Sequence, residues 1–224
     1  MNKSFPLKAD DFLFPTTDNS TQRIHLIQQI QGGASLIFPT ETIYGLGAIA
    51  TNAKAVSALF TIKGRSPEKP PPVIVANRQQ LLQLVCAIPP AAEALITKYW
   101  PGALTLIFPA RNDLPEIICG KSTFRGKEIS TIAVRMTSHP LAKKLCEEVG
   151  APLVATSANF SGATGRAAAP QTLADIPHNF QQLVDVIIDG TAEAGTASTI
   201  VDCTVSPACV LRAGAVELNE SDFE

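Results

Sequence analysis

Short apolar runs alternate with helix-period segments along the first two thirds of the chain, and this alternation constrains the fold most. SLIF, VIVA, LTLIFPA, TIAVRM and LVATS have strand length and composition, while QRIHLIQQIQ after Ser20, RQQLLQLV, AAEALITKYW and HPLAKKLCEEVG have helical spacing. The last third carries three strand-like pieces, VIIDG, STIVDC and CVLRAG. The pattern predicts a mixed α/β fold, with helices packed on a twisted, open, mixed sheet, and excludes a four-helix bundle or a pure β-barrel.

The composition is that of a chain that buries a substantial core. The 224 residues are 46% hydrophobic and 17% charged, which favours one large domain. We predict an N-terminal arm over residues 1–18, the domain over 19–216 and an acidic tail over 217–224. No apolar segment has the length of a signal peptide core or a membrane span, so we expect a cytoplasmic protein.

The charge balance and the cysteines exclude several functions. The formal net charge is -2, so the chain as a whole does not attract nucleic acid or anionic lipid, and any site for a polyanion must be local. The five cysteines form no CxxC pair, and we interpret them as reduced thiols with a structural role. The three histidines have no sequence relation to a serine or cysteine nucleophile, so a hydrolytic triad is not indicated.

Polar residues gather first in the loop PTETIYGLG, which follows a predicted strand. The hydroxyls of Thr40, Thr42 and Tyr44 are suited to a small polar ligand, although a turn held by its own hydroxyl-to-backbone bonds has the same composition. The sequence leaves open whether Glu41 contacts a metal ion or caps the turn.

A second polar group, Lys63 and Arg65 with Lys69 close behind, follows a predicted helix. Fixed positive charge there suits phosphate oxygens, but cations are also common at solvated helix ends. The chain has neither GxxxxGK[ST] nor GxGxxG, so a P-loop or dinucleotide site is not indicated.

Two further groups lie on or after predicted strands. Thr131 and Arg135 share one strand face, and an arginine within the apolar run TIAVRM requires a carboxylate from the protein or from a ligand. The remaining candidates are small hydroxyl residues, glycines and one arginine, which suit an anion or simply form turns: Ser157, Asn159, Ser161, Gly162, Ser198, Thr199 and Arg212.

In this order, PTETIYGLG, KGR, YWPGALTLIF, TIAVRM, SANFSG, STIVD and LRAG resemble the YrdC-like threonylcarbamoyl-AMP synthases. The resemblance runs from about Gly33 to Gly214 and is to the short, single-domain form. It implies a twisted α/β sheet around a basic concave cavity. It also implies that L-threonine, bicarbonate and ATP, with Mg2+, are converted to threonylcarbamoyl-AMP and pyrophosphate. A tRNA threonylcarbamoyl transferase machinery would then use the adenylate to modify adenosine 37 of tRNAs reading ANN codons.

The resemblance also implies roles for individual residues. Thr40, Arg135, Ser198 and the backbone near Ala155 would hold threonine, with Arg135 taking its carboxylate. The ATP would be held by Lys63, Arg65, Thr131, Ser157, Asn159 and Arg212 and by backbone near Pro67 and Gly165. We predict that Lys63 and Arg65 stabilise the leaving pyrophosphate. Ile74 stands where some relatives have a histidine that contacts threonine.

Two other functions remain as alternatives. A module that binds double-stranded RNA or tRNA is weakly disfavoured, because the aromatic residues, 6% of the chain, are not interleaved with basic ones. Carbamoyl-adenylate transfer in protein maturation, as in hydrogenase-maturation proteins that resemble this chain, would be accompanied by zinc-binding modules, and the absence of CxxC argues against it.

Overall fold

A computed structural model describes residues 6–14, 16–64, 69–124 and 127–223. Its helices and strands alternate as the sequence pattern predicts, so the mixed α/β class is confirmed. The strands form two mixed sheets rather than one. The helices of the described ranges are Ala9–Leu13 (α1), Thr17–Gln31 (α2), Ala53–Lys63 (α3), Arg78–Leu82 (α4), Pro90–Tyr99 (α5), Pro140–Val149 (α6) and His178–Gln181 (α7). None of them is long and apolar enough to cross a membrane.

The smaller sheet has five strands, in the spatial order Leu7–Lys8 (β1), Val186–Asp189 (β10), Leu36–Phe38 (β2), Gly45–Gly47 (β3) and Thr156–Ser157 (β9). The first two pairings are parallel and the last two antiparallel. The loop between β2 and β3 contains Thr40 and Thr42, so this hairpin displays the hydroxyls of the PTETIYGLG segment.

The larger sheet has seven strands. Six follow the order Cys209–Arg212 (β12), Thr199–Asp202 (β11), Leu104–Pro109 (β5), Lys127–Met136 (β7), Val73–Val75 (β4) and Leu153–Val154 (β8), and Gly120–Phe124 (β6) pairs with β7. The parallel pairings are β11 with β5 and β4 with β7. Ile74 on β4 is opposite Arg135 on β7, so register places this arginine in the middle of the sheet.

The chain passes from one sheet to the other at Ala155. The segment LVATS, predicted as one strand, is divided here: β8 pairs with β4 of the larger sheet and β9 with β3 of the smaller. The Ala155 N–H donates to the carbonyl of Pro72 at 3.0 Å, and the Val154 N–H donates to the carbonyl of Ala48 at 2.8 Å. These bonds join the two sheets edge to edge at this point.

Helix α3 extends through Lys63, which the sequence pattern places just after a predicted helix. The Asn52 side chain accepts a hydrogen bond from the Ala55 N–H at 3.1 Å and caps the first turn, and Gly64 ends the helix in a left-handed conformation with φ 63°. Val56 and Leu59 are buried in the core. Lys63 is therefore held at the last helical position, beside the two-sheet junction.

Two hydrophobic clusters form the core, one on each side of β4. Val73 and Val75 belong to the first cluster and Ile74 to the second, as strand alternation requires. Residues that the sequence assigns to an N-terminal arm contribute to the second cluster: β1 pairs with β10, and Phe12 of α1 is fully buried.

Residues near both chain ends pack against the rest of the described chain. Helix α2 begins at Thr17 and not after Ser20, since the Ser20 N–H already donates to the Thr16 carbonyl within a helical turn. In the predicted acidic tail, Asp222 accepts a hydrogen bond from the Tyr99 hydroxyl at 2.9 Å, and Phe223 packs against the first cluster. Parts of both terminal segments thus pack onto the domain.

Candidate active site

A cavity of about 410 Å3 opens where the two sheets meet. Its walls come from the β2–β3 loop, the crossing at Ala155, and strands β7, β9, β11 and β12. Nine residues singled out in the sequence line it: Thr40, Thr42, Tyr44, Lys69, Arg135, Ala155, Ser157, Ser198 and Arg212. Its charged lining residues, within the part of the chain that the structure describes, are Lys69, Arg135 and Arg212, so the cavity is basic as expected.

The hydroxyls of the β2–β3 loop are fixed by local bonds. Thr40 Oγ1 donates to the carbonyl of Ile43 at 2.7 Å and lies 2.9 Å from Thr42 Oγ1. Tyr44 anchors the far side of the loop, because its hydroxyl donates to the Gly190 carbonyl at 2.8 Å and accepts from the Gly190 N–H at 2.7 Å. Burial raises the pKa of Tyr44 to about 12. The loop is thus both a self-bonded turn and a cavity wall.

The carboxylate that pairs with Arg135 belongs to the protein itself. Glu41 Oε1 lies 2.7 Å from Arg135 Nε, and both side chains are almost completely buried. The two atoms are not aligned for a hydrogen bond, so the contact is a close ion pair. Thr137 Oγ1 donates to the other oxygen of Glu41, and Arg135 Nη1 donates to Thr42 Oγ1 at 3.2 Å. Burial lowers the pKa of the Arg135 guanidinium, and the Glu41 charge opposes that shift.

Ser198 and Arg212 form the opposite wall. The Arg212 guanidinium donates to the Ser198 carbonyl from Nε at 3.0 Å and from Nη2 at 2.7 Å, and Ser198 Oγ lies 2.7 Å from Thr105 Oγ1. Burial, and secondly the positive charge of Arg135, lowers the pKa of Arg212. The positive charges of Arg135 and Arg212 therefore both face the same cavity, which favours the binding of an anionic ligand.

Lys63 lies behind the cavity wall, not on it. Its ammonium is within 2.6 to 3.3 Å of four oxygens, the carbonyl and side-chain oxygens of Ser157 and Asn159. Asn159 Nδ2 in turn donates to the carbonyls of Ala167 and Ala168, at 3.1 and 3.0 Å, and Ala168 lines the cavity. Lys63 and Asn159 thus connect three segments of the wall, and their roles toward ATP stay predictions.

The other predicted residues are placed as follows. Thr131 is buried in β7 opposite Gly120, and Gly165 begins a short 3-10 helix, Gly165–Ala168; neither lines the cavity. Ile74 is fully buried in the second core cluster and does not line the cavity. Arg65 and Pro67 lie outside the described residues.

Several lining residues were not predicted, because their side chains are apolar, whereas the sequence prediction rests on polar ones. Pro70, Pro72, Ala168 and Ile200 are examples. Ile200 was predictable in principle, since it lies two residues from Ser198 in the same extended segment. Pro70 and Pro72 carry no such signal, because their placement depends on how the loop before β4 folds back.

The described residues contain no group of three or more His, Cys, Asp or Glu side chains able to hold a metal ion. No carboxylate is among the described lining residues, and both oxygens of Glu41 are engaged. All five cysteines are free; Cys146 and Cys203 are buried, whereas Cys86 and Cys209 are exposed.

Residues 28–214 match the family model Sua5_yciO_yrdC, described as "Telomere recombination". The chain is 38% identical over 192 residues to a threonylcarbamoyl-AMP synthase of Pyrococcus abyssi, covering 85% of this chain and 53% of that protein. A Bacillus subtilis relative of the same name is 38% identical over 80% of this chain and 49% of its own. The chain thus spans about half the length of these two relatives. One from Pseudoalteromonas translucida is 37% identical, over 73% of this chain and 85% of its own.

Solved structures agree with this assignment. The crystal structure of P. abyssi Sua5 complexed with L-threonine superposes with a TM-score of 0.75 at 38% identity, covering 84% of this chain and 52% of that one. Escherichia coli YciO, at 22% identity, shares the fold with a TM-score of 0.74, over 91% of this chain and 94% of that one. On the sequence match and the shared fold, the chain belongs to the Sua5/YciO/YrdC family.

Proposed function

We propose that this protein forms L-threonylcarbamoyladenylate and pyrophosphate from L-threonine, bicarbonate and ATP. The observation that carries the proposal is the basic cavity between the sheets, in a chain whose relatives are named threonylcarbamoyl-AMP synthases and include one crystallised with L-threonine. A volume of about 410 Å3 is in the range of small-molecule sites, which favours substrates of this size over a nucleic-acid duplex.

The proposed chemistry requires positioning rather than a protein nucleophile. The amine of threonine adds to CO2 derived from bicarbonate and loses a proton, giving a carbamate. A carbamate oxygen attacks the α-phosphorus of ATP, and pyrophosphate leaves with the electron pair of the broken P–O bond. The transition state develops charge on phosphate oxygens, which fixed cations and hydroxyls stabilise.

The residues divide between the two substrates according to their place in the wall. Arg135, with Thr40 and Ser198, would hold threonine through its carboxylate, hydroxyl and amine. Arg212 lies close enough to Arg135 for the two charges to interact, so it would contact the phosphates of an ATP placed next to the amino acid. Ser157, on the wall tied to Lys63, would lie beside the same phosphates.

Mg2+ would enter with ATP. It prefers phosphate and water oxygens and often takes few protein ligands, which fits a cavity whose described lining has no carboxylate. When bound, Mg2+ would neutralise phosphate charge. We further propose that the adenylate passes to a tRNA-modifying partner in the cytoplasm, which modifies adenosine 37 of ANN-decoding tRNAs.

The test is pyrophosphate release by the purified protein with ATP, Mg2+ and bicarbonate, comparing L-threonine, L-serine and no amino acid. We expect release that depends on threonine and bicarbonate, and an adenylate product of the corresponding mass. Arg212→Leu should lower kcat/KM by about a hundredfold, as removal of a charge-stabilising donor does. Arg111→Leu, on the exposed surface beside Asp113, is the matched control and should leave it unchanged. Folded protein that releases no pyrophosphate, but binds duplex RNA with steep salt dependence, would refute the proposal.

A further inference from the structure

Glu41 is the member of the PTETIYGLG loop whose purpose the sequence left open, and the structure gives it a specific partner. Its side chain is 3% exposed and does not line the cavity. One carboxylate oxygen lies 2.7 Å from Arg135 Nε, and the other accepts a hydrogen bond from Thr137 Oγ1. The carboxylate therefore touches Arg135 from behind, and no substrate in the cavity needs to touch it.

The guanidinium of Arg135 is held at two points. Glu41 contacts Nε, and Nη1 donates to Thr42 Oγ1 at 3.2 Å. Because the guanidinium is planar, fixing two of its three nitrogens determines the direction of the remaining N–H bonds. Nη2 forms no hydrogen bond with any described residue, although Arg135 lines the cavity. This nitrogen is thus available to an anion in the cavity.

Attraction of the cavity for an anionic substrate gives no reason for the acidic residue. A carboxylate beside Arg135 weakens the attraction between this arginine and a second carboxylate. The cavity already has Arg212 and Lys69 on its lining, so attraction for anions does not depend on Arg135 alone. What Glu41 adds is a fixed geometry, together with the counter-charge that allows an arginine to be buried in the sheet.

We propose that Glu41 is a positioning residue, which holds the Arg135 guanidinium in the orientation that receives the carboxylate of L-threonine. This inference rests on the proposed function and deepens it. Glu41 touches Arg135 and not the reacting atoms, so it acts on amino-acid recognition and not on the attack at phosphorus.

Two conservative variants separate geometry from charge. Glu41→Gln keeps the length and the volume beside Nε, and its amide oxygen can still accept from Thr137 Oγ1, but it removes the charge. Glu41→Asp keeps the charge but is shorter by one carbon–carbon bond, about 1.5 Å, so it cannot reach both Arg135 and Thr137. Each variant keeps either the length or the charge of Glu41, so each also keeps part of what stabilises the buried pair with Arg135. Thermal unfolding of both variants checks that they remain folded.

The readout is the preference for L-threonine over L-threonine amide, which has the same amine and hydroxyl but no carboxylate. The ratio of the two dissociation constants, measured by calorimetry, gives this preference without turnover. The ratio of the two KM values, measured from pyrophosphate release, gives the preference during turnover. We expect Glu41→Asp to reduce the preference about tenfold, by loss of a well-directed charged hydrogen bond, while Glu41→Gln keeps it within about threefold of the parent protein. KM for ATP should change little in either.

The opposite order, with the preference lost in Glu41→Gln and kept in Glu41→Asp, would show that charge and not position matters and would overturn the inference. Equal preferences in both variants and the parent protein, or an equal loss in both variants, would also overturn it. A general folding defect weakens binding of threonine and its amide alike, so it does not mimic the expected result. Failure of the proposed function is distinguishable, since the parent protein itself would then show no threonine-dependent pyrophosphate release.

Discussion

Replacement of Lys63 by methionine tests whether this lysine holds the cavity wall together. Lys63 is 4% exposed. Its ammonium donates to the carbonyls of Ser157 and Asn159 at 2.6 and 3.0 Å. It also donates to the side-chain oxygens of the same two residues, at 3.3 and 3.0 Å. Methionine has similar length and no donor. The side-chain oxygens keep their mutual hydrogen bond at 2.8 Å, but the two carbonyls lose this donor.

The magnitude follows mainly from the Asn159 carbonyl, because the Ser157 carbonyl still accepts from the Asn159 N–H at 2.9 Å. A buried acceptor left without a donor costs about 1–3 kcal/mol, and relief from burying an ammonium offsets part of the smaller loss at Ser157. We expect a loss of about 2 kcal/mol in the free energy of unfolding. For a chain of this size each kcal/mol shifts Tm by about 2–4 °C, so Tm should fall by roughly 4–8 °C.

Urea unfolding and calorimetry measure this loss, and hydrogen exchange locates it. Exchange should accelerate in the Asn159-tethered turn Gly165–Ala168. Lys54→Met is the matched control, because Lys54 lies on the same helix and is exposed; it should change stability by less than about 0.5 kcal/mol. A loss below about 1 kcal/mol in Lys63→Met, with a large increase in KM for ATP, would refute the structural role and leave the lysine as a phosphate ligand only.

Two further predictions concern other parts of the fold. Phe12 is fully buried, so Phe12→Ala should lower the free energy of unfolding, measured by urea titration, by about 3–5 kcal/mol. Phe14 is 75% exposed, so Phe14→Ala should lower it little. Similar values for the two variants would show that α1 does not pack as described. The raised pKa of Tyr44, about 12 against an ordinary 10, means that the folded state keeps this proton longer than the unfolded one. The contribution of the Tyr44 hydroxyl to the free energy of unfolding is complete below pH 10. It declines by at most about 1.4 kcal/mol per pH unit as pH rises towards 12. Unfolding of Tyr44→Phe between pH 9 and 11.5 should lack this component, and an unchanged slope would contradict the assignment.

Local patterns in the sequence determined the fold class. Helix α3 illustrates this, because apolar spacing, the Asn52 cap and Gly64 all lie within thirteen consecutive positions and define the helix between them. The same holds for the polar loop after β2. Helix and strand periods depend on neighbours a few residues away, so the sequence alone contains this information.

The pairing of distant segments was decided by tertiary structure. LVATS has the composition of one strand, and its division at Ala155 depends on two separate partners, β4 and β3, that compete for its backbone groups. The arginine in TIAVRM requires a carboxylate, as its sequence context predicts. Nothing in that context specifies Glu41, because twenty acidic residues were available.

The sequence by itself therefore determined which segments are helices and strands, that Arg135 needs an acidic partner, and which loops carry polar groups. Only the tertiary structure decided that Glu41 is that partner and that Lys63 lies behind the cavity wall. The physical reason is separation along the chain. Thr137 meets Glu41 across 96 residues, and Lys63 meets Asn159 across 96, so both contacts follow from sheet register and packing rather than from any local pattern.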